Sequence, residues 1–351
     1  MSEKRETILR LTQDATGKIV DVRVEQEPKL LTVIELKPET KKTFLRDLTE
    51  GSVVDWGDGT KSVVTAAEVQ ARVVKHTYAS TSPANRVVTI DGVIDRQEER
   101  EEEKAWSAFD EDTLVAVRSL GDLVGEAKYL FLNCRSLTTI PEGLFDRCPK
   151  VTRFNGCFYG CNSLTSIPAG LFDHFTEVTS FYDCFLECGS LTAIPDGLFD
   201  RCTKVTNFSG CFAICPSLTS IPDGLFDHCP AVTDFWGCFE GCTSLTSIPD
   251  GLFDHCPAVT SFYDSFADCT GLTAIPEGLF DHCKEATSFL LCFRGCKSLT
   301  GETPYTMVDG KKVKLWERSP ENGFAEVIEY DECFKDCTKL SDHAEIPGAW
   351  K

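Results

Sequence analysis

Cysteine is missing from the first third of this chain: no Cys precedes Cys134, and all 19 lie between Cys134 and Cys337. That distribution argues against a disulfide scaffold for the whole protein, and the odd count leaves at least one thiol unpaired in a monomer. Long apolar runs are also lacking. No stretch approaches the roughly 18 apolar residues that cross a bilayer. The opening Met1-Ser2-Glu3-Lys4-Arg5-Glu6 has none of the apolar core of a signal peptide. Basic residues are scarce beside acidic ones, 35 against 55, and the net charge of -20 repels phosphate backbones and anionic lipid. Nucleic-acid binding and membrane insertion are therefore poor expectations. With 42% apolar and 26% charged residues, the 351-residue chain reads as folded, with about two domains.

What is present in quantity is a repeat. Ile-Pro dipeptides begin at Ile140, Ile167, Ile194, Ile221, Ile248 and Ile275, a step of 27 residues each time. A fixed period of this length predicts an array of stacked coils. The unit, as in Val178 to Lys204, approximates Val-Thr-x-Phe-x-x-Cys-Phe-x-x-Cys-x-Ser-Leu-Thr-x-Ile-Pro-x-Gly-Leu-Phe-Asp-x-Cys. Three Phe rows run through it, starting at Phe145, Phe154 and Phe158, and they predict core. Two alternating tetrapeptides, such as Val178–Phe181 and Leu191–Ile194, predict one short strand each. The Leu-Phe-Asp-x-Cys and Cys-Phe-x-x-Cys segments between them read as helical turns. One unit cannot bury its own apolar face, so neighbours must stack and the ends must be capped. Free Cys behaves as a small hydrophobe, so inward thiol rows need no disulfides.

The phrase Cys-Phe-x-x-Cys-x-x-Leu-Thr-x-Ile, present at Cys184 to Ile194 and Cys238 to Ile248, resembles the BspA-like leucine-rich repeats of bacterial surface proteins. The likeness covers about two thirds of the chain. Phe175 and Ser265 replace two of the cysteines, and Leu130 stands where the first regular coil would have another. The resemblance implies a leucine-rich-repeat solenoid used for adhesion or recognition, without catalytic chemistry.

Residues 1–94 have a different texture, with strand patterns such as Ile19–Val24 and Val87–Ile90. Here Val54-Asp55-Trp56-Gly57-Asp58-Gly59-Thr60 followed by His76-Thr77-Tyr78 resembles the PKD-type immunoglobulin-like β-sandwich. The expected fold is therefore an N-terminal β-sandwich followed by a leucine-rich-repeat solenoid. The expected order is a β domain over 1–94, a charged linker over 95–104 and the repeat domain over 105–351. Within the last, a cap spans 105–133 and includes Leu114 to Val124 as a degraded coil. Regular repeats occupy 134–300, an insertion 301–330 and a C-terminal cap 331–351. The insertion carries a hairpin pattern, Tyr305–Val308 and Lys311–Trp316 about Asp309-Gly310. It is expected to cover the last coil edge.

Chemistry is harder to find. Asp-His-Cys recurs at Asp227, Asp254 and Asp281, and His and Cys are zinc ligands, but Arg147 and Arg201 take the His position in sister coils. Adjacent residues also tend to face opposite ways. A structural Cys row beside solvated His and Arg is the simpler reading. The Asp row from Asp146 to Asp281 offers calcium one carboxylate per coil, too few for its six to eight oxygens. These Asp residues are expected to hold turns, and the same reading is extended to Asp55 and Asp58. No triad, phosphate loop or paired-carboxylate site assembles, so neither an enzyme nor a cofactor is expected; catalysis would need a site within 302–330. One position varies where its neighbours are fixed: Asn155, Tyr182, Ser209, Trp236, Tyr263, Leu290. Its aromatics, Tyr182, Trp236 and Tyr263, are the candidate ligand-binding residues, though rings packed along a coil edge account for them equally well.

The resulting expectation is a non-catalytic recognition or adhesion protein on a phage virion, as a fibre or decoration protein, or on a bacterial surface. Its partners would be a host-surface glycan or protein, with other virion proteins reached through the N-terminal domain. The alternative is a structural protein that docks onto an assembly and takes no external ligand.

Overall fold

The computed structural model describes residues 7–13, 19–26, 31–96 and 106–351. The N-terminal part begins with an antiparallel pair, β1 (Thr7–Gln13) and β2 (Ile19–Gln26). There follow β3 (Thr32–Leu36), β4 (Lys42–Arg46), β5 (Val53–Asp55), β6 (Lys61–Val63), α1 (Ala66–Ala71), β7 (Val73–Thr77), β8 (Arg86–Asp91) and β9 (Val93–Arg96). Strand β3 alternates buried and half-buried residues, the period expected of a strand with one face on a core. Ile34 and Leu36 there meet a core that includes Val54, Trp56, Val88 and Ile90.

The sequence reading of Leu114 to Val124 as a degraded coil is overturned. Leu114–Ser119 is β10, paired antiparallel with β3, and Asp122–Gly125 is β11, paired parallel with β9. Valine-rich alternation suits either role, and here the open edge of β3 takes the strand. The larger sheet runs β10-β3-β8-β5-β6, with β4-β7 and β9-β11 as separate two-stranded pairs. Of the charged linker, Asp95 and Arg96 belong to β9; its remaining residues lie outside the described ones.

The Trp-Gly-Asp-Gly-Thr turn and the later His-Thr-Tyr meet in space. Trp56 is fully buried and stacks on His76 at 4.6 Å, and Tyr78 donates its hydroxyl to the Trp56 carbonyl at 3.3 Å. Gly57 has φ +73°, and a Cβ there would lie 2.3 Å from the Val87 carbonyl oxygen, so only glycine fits. Asp58 accepts from Thr60 and from His76 Nε2. Asp55 accepts from the Gly57 N–H and pairs with Lys61 at 3.1 Å. Both carboxylates thus hold the turn.

From about residue 127 the chain forms stacked 27-residue coils. Parallel bridges link Arg153, Ser180, Asn207, Asp234, Ser261 and Ser288 in succession, then Glu329. The three Phe rows are buried columns in herringbone contact; Phe226, for example, lies 4.8 Å from Phe208 and 4.7 Å from Phe235. The Phe158 column runs beyond the regular units at both ends. Phe109 stacks on Phe131 at 5.1 Å, and Phe293 is followed by Phe334 and then Trp350, at 5.7 and 6.4 Å.

The hydrogen bonding differs from the expected two strands per unit. Leu-Thr-x-Ile makes a single backbone bond to the coil before, as from Thr192 N–H to Thr165 O at 3.4 Å. Pro after Ile supplies no donor to extend it. The main ladder lies in the segment read as a helical turn. The N–H groups of Phe154, Gly156, Phe158 and Gly160 reach Ser180, Tyr182, Cys184 and Leu186 of the next coil, while those of Cys157, Tyr159 and Cys161 close turns within their own coil. This alternation places every fourth residue at positive φ, as at Asp183, Glu187, Ile214, Asp264 and Asp268. Ile214, β-branched at φ 52°, is the least suited of these.

All 19 thiols are free and buried. Cys161, Cys188, Cys215, Cys242, Cys269, Cys296 and Cys337 each donate S–H to a Phe carbonyl of the preceding coil, at 3.0 to 3.3 Å. Ser265, in another Cys row, gives its hydroxyl to Phe235 O at 2.9 Å. Burial pushes the Cys242 thiol up to about 12, so these groups stay protonated and unreactive.

Both ends are sealed by groups that imitate the missing neighbour. At the first coil the Glu126 carboxylate accepts from Thr152 and Arg153 N–H, at 2.9 and 2.7 Å, where later coils use a Thr carbonyl. At the last, the insertion supplies Arg318. Its guanidinium donates to Phe280 O and Cys283 O, the pair of carbonyls that a Cys of the next coil would take. The insertion also forms the expected hairpin, β12 (Tyr305–Val308) with β13 (Lys311–Lys314), and Asp309 and Gly310 have the two positive φ values of a type I′ turn.

Candidate functional site

The repeat separates the suggestive residues. His228, His255 and His282 are exposed whereas Cys229, Cys256 and Cys283 are buried, so adjacent His and Cys cannot share a ligand sphere. The Asp row packs its carboxylates against glycine; a Cβ on Gly224 would sit 2.9 Å from Asp227 Oδ2. The backbone N–H of Asp227 donates to Gly224 O at 3.0 Å, which closes the corner. Asp281 additionally accepts from the Thr306 hydroxyl of the insertion. Asp223, Asp227, Asp250, Asp254 and His255 line a shallow cavity of about 390 Å³ in open contact with solvent.

The variable row is the other concentration of chemistry. The residue after each strand Phe lies in the ladder segment, one coil step from its counterparts. Tyr182 and Tyr263 are half-buried and Trp236 is 46% exposed, in a unit that otherwise buries all its aromatics. The structure brings two of the three together: Trp236 and Tyr263 stack at 5.5 Å with planes 11° apart. Tyr182 stands two coils from Trp236, with the small Ser209 between them in register. Leu290 continues the row beyond Tyr263, and Ile214, 47% exposed, lies in the coil of Ser209.

Charged and polar groups that the sequence reading did not single out surround this row. Asp264 follows Tyr263 and is only 8% exposed. Burial and the neighbouring Glu240 carboxylate push its own carboxyl up to about 6, against the opposing pull of Arg294. Burial likewise raises Glu240. Arg294 pairs with Asp268 at 3.0 Å. Among the described residues nine buried side-chain polar atoms have no hydrogen-bond partner, and five belong to this face: Asn155 Oδ1, Ser209 Oγ, Asp264 Oδ1, Ser288 Oγ and Arg294 Nε. Unpaired atoms cannot be read from a sequence, because pairing depends on the coil above and below.

No group of three or more His, Cys, Asp or Glu side chains among the described residues is placed to hold a metal ion. No described helix is long and apolar enough to cross a membrane.

Comparison with known proteins finds no match among the curated ones. Among solved structures the chain is similar to a leucine-rich cell surface protein from Faecalibacterium prausnitzii A2-165, at 18% identity over 76% of this chain and 84% of that one, with a TM-score of 0.19. It is also similar to TLR13 in a complex with ssRNA13, at 12% identity over 59% of this chain and 42% of that one, with a TM-score of 0.14. Superpositions this poor say nothing about shape or ligand. The family comparison is more direct: residues 127–300 match six copies of the BspA type leucine-rich repeat. The matched span begins just after β11 and ends where the insertion interrupts the coils, so this chain carries a BspA-type leucine-rich repeat region.

Proposed function

We propose that the protein is a non-catalytic recognition or adhesion protein, displayed on a bacterial or virion surface, whose solenoid presents the row of Tyr182, Trp236 and Tyr263 to a surface glycan or protein. The β-rich N-terminal part, with its PKD-like turn, anchors or spaces that solenoid. The supporting observation is the Trp236–Tyr263 stack, with Trp236 exposed and Tyr263 half-buried on a repeat that buries its Phe columns. Exposed Trp and Tyr are the residues most enriched at binding hot spots. The thiols do not bear on the compartment, since buried, protonated sulfur resists oxidation in either setting.

The test is adhesion of the full chain to immobilised mucin and extracellular-matrix protein, compared with Trp236→Ala and Tyr263→Ala. Lost adhesion with an unchanged melting temperature supports the reading. Adhesion that survives both substitutions leaves the row without a role and favours a purely structural docking protein.

A further inference from the structure

We infer that the aromatic row is a glycan track, taking a pyranose oligosaccharide along the coil axis with one ring on the Trp236–Tyr263 platform. The inference rests on the recognition reading above and names its ligand class.

Three observations converge. The first is the platform, since the apolar C–H face of a sugar ring packs on an exposed aromatic ring such as that of Trp236. Of the two rings Trp236 is the more exposed, and it stacks on Tyr263.

The second is the distribution of unpaired polar atoms. Native proteins pair nearly all buried polar groups, and each exception calls for an explanation. Leaving one unpaired destabilises the fold. Five of the nine here lie along one face, from Asn155 to Arg294. Ser209 is 2% exposed and Asp264 8%, so solvent at the surface does not satisfy them. Ser209 sits in register between Tyr182 and Trp236, and Asp264 is next to Tyr263.

The third is the chemistry of the set. Asn155 Oδ1 and Asp264 Oδ1 require donors, Arg294 Nε requires an acceptor, and the Ser209 and Ser288 hydroxyls serve as either. A cationic side chain offers donors alone and leaves Arg294 unanswered. Sugar hydroxyls donate and accept at once, and they come attached to a saturated ring with an apolar face. The coil steps beneath the row, 5.7 Å from Phe181 to Phe208 and 5.9 Å from Phe208 to Phe235, repeat regularly, which suits a linear polymer better than a single ring.

The experiment uses the full chain on an array of neutral, amino and acidic pyranose oligosaccharides of one to six units, with lysine-rich peptides printed beside them. The expected result is saturable binding to oligosaccharides that strengthens with length. Trp236→Ala should weaken it at least tenfold without changing the melting temperature. Ser209→Ala, which deletes an unpaired hydroxyl, should raise the melting temperature and still weaken binding severalfold; a purely structural serine would do only the former. No saturable binding to any oligosaccharide overturns the glycan assignment. If adhesion to matrix protein is then lost in Trp236→Ala, recognition stands and the ligand is protein. Binding that no substitution in the row affects overturns both readings.

Discussion

Replacing Phe226 with alanine probes what holds the coils together. The ring is fully buried in the middle of the stack, with centroids 4.8 and 4.7 Å from Phe208 and Phe235 and further rings of Phe199, Phe239 and Phe253 at 6.2 to 6.3 Å. Truncating a buried Phe costs about 3–5 kcal/mol through lost transfer energy and the cavity left behind. Each close ring pair adds roughly 0.5–1.5 kcal/mol beyond area burial, so two such pairs place Phe226 near the top of the range, about 5 kcal/mol. Phe145, in the first regular unit, has only one close partner, Phe154 at 5.0 Å, with Phe158 and Phe175 beyond 6 Å. Its truncation should cost nearer 3 kcal/mol, because a coil at the end of an array has fewer neighbours to uncouple. With a urea slope of about 3 kcal/mol/M, Phe226→Ala lowers the midpoint by roughly 1.5–2 M and Phe145→Ala by about 1 M. The assay is urea denaturation followed by far-ultraviolet circular dichroism. A midpoint shift below about 0.3 M for Phe226→Ala, or a larger loss for Phe145→Ala, would refute the nearest-neighbour account.

Other expectations follow from the same contacts. A thiol reagent should find none of the 19 cysteines rapidly in the native protein and all of them in guanidinium, with native labelling governed by opening of the fold; several fast native thiols would contradict the buried rows. Arg318→Ala strands the Phe280 and Cys283 carbonyls and should cost about 2–4 kcal/mol, seen as loss of hydrogen-exchange protection in the last coils before the first ones. Gly57→Ala drives a methyl into the Val87 carbonyl at positive φ and should cost about 3 kcal/mol or more; an unchanged melting temperature would show that the turn yields. Two carboxylates should respond to pH in opposite senses. Burial raises Asp58, but bonds from Thr60 and His76 outweigh it and hold it at about 2, below its unfolded value of about 3.9. Its stabilisation is complete above pH 4 and is lost as pH falls through 2, so Asp58→Asn should lower stability at pH 7 and flatten that acid limb. Asp264, raised to about 6, is destabilising once ionised, so Asp264→Asn should raise the melting temperature at pH 7 and not at pH 4.

Much of the repeat was legible because its determinants are local and repeated. A 27-residue step, three Phe rows and inward Cys fix what each coil must bury, and the same answer is written several times over. The Asp309-Gly310 hairpin was legible for a similar reason, since a two-residue turn carries its own geometry. The candidate row showed itself by varying where its neighbours do not. The misreadings share one cause. Leu114–Ser119 has a pattern equally fit for a coil or a sheet edge, and only the presence of β3 some 80 residues earlier decides between them. The Cys-Phe-x-x-Cys segment looks helical in isolation, yet its N–H groups go to the next coil once that coil is stacked against it.

The sequence by itself therefore determined the period, the core rows and their inward cysteines, because each depends on residue type at fixed spacing. Only the tertiary structure decided where the coils end, which groups cap them, and which polar atoms stay unpaired. Glu126 and Arg318 serve as caps because a neighbouring coil is missing there. Ser209 Oγ and Asp264 Oδ1 lack partners because of what stacks on either side. Hydrogen-bond satisfaction is a property of assembled neighbours, and a chain read one residue at a time does not contain it.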